Sequence, residues 1–151
     1  MRDTLLAIHI LCGTAGLALG PVAMAAPKRH GRHTTAGIGY QAATAGLCVT
    51  AIGLVTLKPS LWWLGLIALG TEAAAAGGWV IQRRRPPGWL PWHVSLMCGS
   101  YVSFVTAFLV VNTSGIPAAW IAPTVIGTPL IALAARRAAR NSSRPVSSAR
   151  P

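Results

Sequence analysis

The chain reads as five long apolar runs separated by short polar or basic segments. The runs cover residues 5–26, 35–57, 61–82, 92–112 and 117–135, each close to the ~20 residues that an α-helix needs to cross a hydrocarbon core of about 30 Å. The run from Trp92 to Asn112 contains no Asp, Glu, Lys or Arg and opens with a tryptophan beside a histidine. Trp62 and Trp63 stand at the start of the third run, and Trp89 and Trp92 at the start of the fourth, where indole rings anchor helices at the membrane–water boundary. The pattern predicts an all-α, polytopic membrane bundle of five transmembrane helices over residues 1–137. A basic tail rich in Ser and Pro, residues 138–151, is expected to be disordered.

Two local features qualify the runs. AMAAP around Ala23 resembles a small-residue cleavage site, but cleavage would move the KRHGRH cluster outside and reverse every later loop, so the first run is expected to remain as a helix. Pro21, Pro123 and Pro129 lie inside runs, where membrane helices accommodate them as kinks. Gly16 and Gly20 form a GxxxG pair, with Gly13 a turn earlier, and such faces admit close helix neighbours. They suit packing within the chain, a homo-oligomer or a membrane-protein partner.

Composition sharpens this picture. Hydrophobic residues make up 53% of the chain and charged residues 10%, against about a quarter charged in soluble domains. The net charge of +11 comes from 13 Lys and Arg against only Asp3 and Glu72. A basic balance of that size suggests nucleic acid, but these cations cluster between apolar runs, so the expected partner is the lipid bilayer and not nucleic acid. Sorted by loop, two basic residues (Arg2 and Lys58) fall on one side, and eleven on the other. The bias predicts an N-terminus outside and a C-terminus in the cytoplasm. Cys12, Cys48 and Cys98 are isolated within runs, which argues against a disulfide framework or a zinc ribbon.

Candidate chemistry is sparse. Glu72 is the only acidic residue inside a run; it is either the proton donor to a lipophilic substrate or a polar tie to a neighbouring helix. His30, His33 and His93 fall at the basic boundary, and His9 near the opposite one, on the order of 20 Å away by helix rise. His33 and His93 therefore share a level and would meet if the second and fourth helices are neighbours. His93, Met97 and Tyr101 recur at helical spacing on one face, as do His9 and Cys12. Imidazole with thioether suits copper or haem iron, and imidazole with thiolate suits zinc or copper. A histidine beside Trp92 is equally well explained as an interfacial anchor.

Trp92, His93, Met97, Ser100, Tyr101, Thr106-Ala107-Phe108 and Val111-Asn112 together resemble a motif of small bacterial integral-membrane proteins of uncharacterised function. His9, Gly13, Gly20 and Pro21 are similar to that family's first helix. His33, Gly37 and Tyr40 match its HRxxGxxY pattern, with Thr34 where Arg is usual. The resemblance implies a multi-helix protein of the bacterial inner membrane with a recurring set of histidines, and no reaction.

Three functions follow as expectations. The first is a haem, copper or redox site on His33 and His93, with Met97 as a further ligand. The second is an enzyme acting on an isoprenoid or polyketide, with Glu72 as acid and Tyr101 or His93 as its partner. Helix rise puts Glu72 about 18 Å from the end that carries the inner histidines, which disfavours their direct contact. The third is a non-catalytic subunit or small transporter.

Overall fold

The computed structural model describes residues 1–28 and 31–142. His30 and Arg29, and the tail beyond Ser142 with Arg144 and Arg150, lie outside the described residues. Five helices, α1 (Arg2–Ala25), α2 (Arg32–Leu57), α3 (Trp62–Arg84), α4 (Trp89–Asn112) and α5 (Pro117–Ser142), account for the fold, with a single 3-10 turn at Pro59–Leu61 before α3. All five are long and apolar enough to cross a membrane. Their outward faces suit lipid: Leu11, Val49, Leu66, Val111 and Ile126 are each more than half exposed, a pattern that water would penalise.

The helices overrun the expected spans at polar ends. Helix α1 begins at Arg2 and α4 at Trp89, the latter because Pro91 in the first turn lacks only an N–H that has no helical partner there. Helix α5 passes through Pro123 and Pro129 and continues past residue 137 to Ser142. Between α3 and α4 the reversal is tight. Arg85 turns left-handed (φ 46°), Pro86 and Pro87 cannot prolong the helix, and Gly88 takes φ 71° to start the next.

Short connections make successive helices run in opposite directions. Helices α1 to α4 pack in cyclic order, with α1 closing lightly on α4, and α5 lies against α4. The α1–α2 pair is in a seven-residue register. Gly39, Gly46 and Gly53 on α2 face Leu19, Cys12 and Leu5 on α1, and a Cβ at those glycines would come within 3.0, 2.8 and 3.5 Å of the opposing side chains. This is knob-into-hole packing in which the hole lacks a side chain. Helix α3 likewise buries only small residues, Gly65, Ala68, Thr71, Ala75 and Gly78.

Gly16 and Gly20 serve a different purpose from backbone-to-backbone approach. They receive aromatic rings of α4: a Cβ on Gly16 would stand 2.6 Å from Phe104, and one on Gly20 would collide with Tyr101. Tyr101 and Phe104 flank the ring of Tyr40, 2% exposed on α2, with centroids 6.4 and 6.3 Å away. The close approach expected at these glycines, within the chain or from a partner, is thus made from within the chain by side chains of α4.

A substitution cycle tests the register. Gly46→Ala should lower thermal stability in detergent by about 1–3 kcal/mol through overpacking on Cys12. Adding Cys12→Ala should restore most of the loss, since the two residues are coupled by one contact. Gly37→Ala, where nothing lies within 4 Å, should be neutral or gain up to about 1 kcal/mol from helix propensity. Additive losses at 12 and 46 would disprove the register.

Candidate functional site

At one end of the bundle the chain gathers Lys28, Arg32, the run Arg83 to Arg85, Arg136 and Arg137. Both inner histidines sit here, each near the base of a helical hairpin. His33 lies in the first turn of α2 and its Nδ1–H donates to the carbonyl of Ala23 on α1 at 2.7 Å. Ala23 is in the last turn of α1, so its carbonyl has no helical partner. Lys28 caps the same terminus, its Nζ donating to Met24 at 2.6 Å and to Ala23 at 3.3 Å.

His93 repeats the device in the second hairpin. Its Nδ1–H donates to the carbonyl of Gly78 on α3 at 2.9 Å. The four-residue turn at 85–88 sets residues 78 and 93 side by side. Because a carbonyl oxygen only accepts, both rings carry their proton on Nδ1 when neutral, which leaves each Nε2 with a lone pair.

The condition on which His33 and His93 were expected to meet, adjacent second and fourth helices, does not hold. Helices α2 and α4 are not neighbours; they stand across the bundle from each other, and their backbones do not touch. They meet through side chains. Ser100 Oγ, fully buried, donates to the carbonyl of Met97 at 2.8 Å, so the 2.9 Å contact between Tyr40 and Ser100 is donated by the Tyr40 hydroxyl. This bond, two turns deeper than the histidines, ties the diagonal of the bundle.

The remaining candidates disperse. Met97 packs its sulfur on Gly78, where a Cβ would lie 2.9 Å away. Among the described residues no three His, Cys, Asp or Glu side chains gather as a metal-ligand set. The copper or haem expectation on His33, His93 and Met97 therefore has no complete protein ligand set behind it. Tyr101 donates its hydroxyl to the carbonyl of Leu17 at 3.1 Å, and Glu72 accepts from Gln41 Nε2 at 2.7 Å, so the two proposed catalytic groups do not meet. His9 donates to Thr50 Oγ1 at 3.0 Å, tying α1 to α2 toward the other end, while Thr50 donates onward to Gly46. The backbone acceptors Ala23 and Gly78, and Lys28 beside them, escaped sequence reasoning. The only signal available was that each histidine opens the second helix of a hairpin.

No protein-family model, curated protein or solved structure matches the chain.

The Glu72–Gln41 pair makes a prediction of its own, because Glu72 Oε2 and Gln41 Oε1 are buried with no hydrogen-bond partner among the described residues. Removing Gln41 alone (Gln41→Leu) strands the carboxyl and should cost about 1–3 kcal/mol of stability in detergent. The double variant Gln41→Leu/Glu72→Leu should recover most of that cost, since neither polar group remains. A double variant no more stable than Gln41→Leu would show that the pair is not a structural tie.

Proposed function

We infer that the chain is a multi-pass membrane protein of a bacterial inner membrane, with its N-terminus outside and its basic end in the cytoplasm. His33 and His93 form its working site, as ligands of a redox-active metal centre. The observation that carries this reading is the shared Nδ1–H bond to a backbone carbonyl. Metal-ligating histidines are oriented in this way, the distal ring nitrogen being free to coordinate. In helical bundles such sites are built from side chains on facing helices.

Two imidazoles without a third protein ligand favour haem over a bare ion, because the porphyrin brings its own four equatorial nitrogens and asks the protein only for axial ligands. Bound there, the iron would supply one-electron chemistry near the cytoplasmic face. The rings' own part is to present Nε2 in a fixed tautomer, while the nearby lysine and arginines offer positive charge to propionate groups. Glu72 as catalytic acid has less behind it, since its carboxyl and the Tyr101 hydroxyl are bonded to different helices. The subunit or transporter reading loses the glycine face that suggested it, because α4 occupies Gly16 and Gly20.

Protein purified anaerobically in detergent should show a Soret band, or bind added haem stoichiometrically. His33→Ala and His93→Ala should each abolish or shift the band while leaving the helical circular dichroism intact. A protein without haem absorbance, without stoichiometric iron or copper and without response to added haem would remove the reading. Reporter fusions check the orientation: one after Arg140 should behave as cytoplasmic and one at Lys58 as external.

A further inference from the structure

Helix α5 leaves a groove where it diverges from the inner end of α1. The groove runs along α4, has a volume of about 440 Å³, and is walled by Met24, Cys98, Val102, Val105, Ile126 and Leu130 among others. Its lining is almost wholly apolar, and it opens to the outside of the bundle. Cys98 to Leu109 on its α4 wall covers about 16 Å by helix rise, enough to lay an extended hydrocarbon chain along the helix.

Cations stand at its inner mouth. Lys28 Nζ is bonded at 2.6 Å to the carbonyl of Met24, a residue of the groove wall, and its two bonds to α1 carbonyls leave one N–H over. On α5 the groove stripe passes through Ile126 and Leu130 and, two turns or about 10 Å further, reaches the exposed Arg137. The contacts of Gly20 with Tyr101 and of Gly127 with Val102 bring Lys28 and Arg137 level with the first turn of α4. The sequence places no carboxylate side chain at this end, since Asp3 is on the opposite end and Glu72 is bonded within the bundle.

We propose that the groove binds one anionic glycerophospholipid from the leaflet at the basic end, an acyl chain lying along α4 between α1 and α5 and the phosphate held between Lys28 and Arg137. An apolar trough that ends at two unneutralised cations matches the two halves of such a lipid, tail and headgroup.

The test compares dioleoyl phosphatidylglycerol with dioleoyl phosphatidylcholine, added to the purified full chain in neutral detergent, with the melting temperature as readout. Phosphatidylglycerol should raise it more. Arg137→Gln should weaken the apparent affinity for phosphatidylglycerol about fivefold, the factor one cation contributes near a lipid surface. Lys28→Gln should do the same, and Arg137→Gln suffices if Lys28→Gln does not fold. Ala122→Trp, which fills the groove from an exposed position on its wall, should abolish the response, whereas Val125→Trp on the outward face of α5 should preserve it. Equal response to the two lipids, full response in the charge variants, or response retained by Ala122→Trp would overturn the proposal. So would inorganic phosphate reproducing the effect, or an Ala122→Trp variant that breaks a dimer on which neither lipid acts.

Discussion

Close packing without a hydrophobic drive is the constraint on which this molecule rests. Lipid tails are as apolar as leucine, so helices in a bilayer gain little by hiding leucine from solvent and must gain by fitting. Here the fit comes from absent side chains. Cys12 lies where a side chain on Gly46 would be, Leu19 crowds the same place at Gly39 and Leu5 touches it at Gly53, and this fixes how far α1 and α2 slide past each other. The small face of α3 does likewise for the second hairpin. A slip of one residue in either pair would put a side chain into the space now taken by its partner.

Register then determines the chemistry. Ala23 faces His33 only because the heptad holds α1 and α2 in step, and Gly78 faces His93 only because the four-residue turn after Arg84 does so for α3 and α4. The two hairpins assemble with Tyr40 and Ser100 bonded across the diagonal, and with Tyr101 and Phe104 seated on Gly20 and Gly16. That aromatic layer holds α2 and α4 at a distance set by a tyrosine ring and a serine. The histidines lie two turns nearer the end of the same two helices.

The helices were legible because each is a long apolar run, and length is a property that sequence displays directly. Their ends were less so: Trp89 and Ser142 extend helices into polar segments where hydropathy falls but hydrogen bonding continues. The GxxxG at Gly16 and Gly20 was readable as a small face, but its occupant was not, since a glycine pair looks the same whether a backbone or a phenyl ring fills it. The heptad of Gly39, Gly46 and Gly53 lay in plain sight, yet its meaning depends on the complementary series on α1. For the site, shared depth placed His33 and His93 at one end, and helix rise correctly kept His9 apart. Adjacency of α2 and α4 was the wrong geometric condition. Which helices are adjacent and which are diagonal depends on packing order, which no single run records.

Charge imposes the last requirement. In a soluble bundle eleven cations on one end would be interleaved with carboxylates or would repel one another apart. This chain offers them almost none, and among the described residues Lys28 bonds the terminus of α1, while Arg83 lies over Trp79 and Arg85 over Trp89 at 4.6 and 5.5 Å. Those contacts fix where the cations sit without neutralising them. Neutralisation has to come from the anionic surface of a membrane or from an acidic group bound at the end of the bundle. The clustering of cations at one end therefore leaves the histidine end electropositive. Any negatively charged group that reaches His33 and His93, a lipid phosphate or the propionate of a cofactor, is drawn there by a field that the chain itself does not cancel.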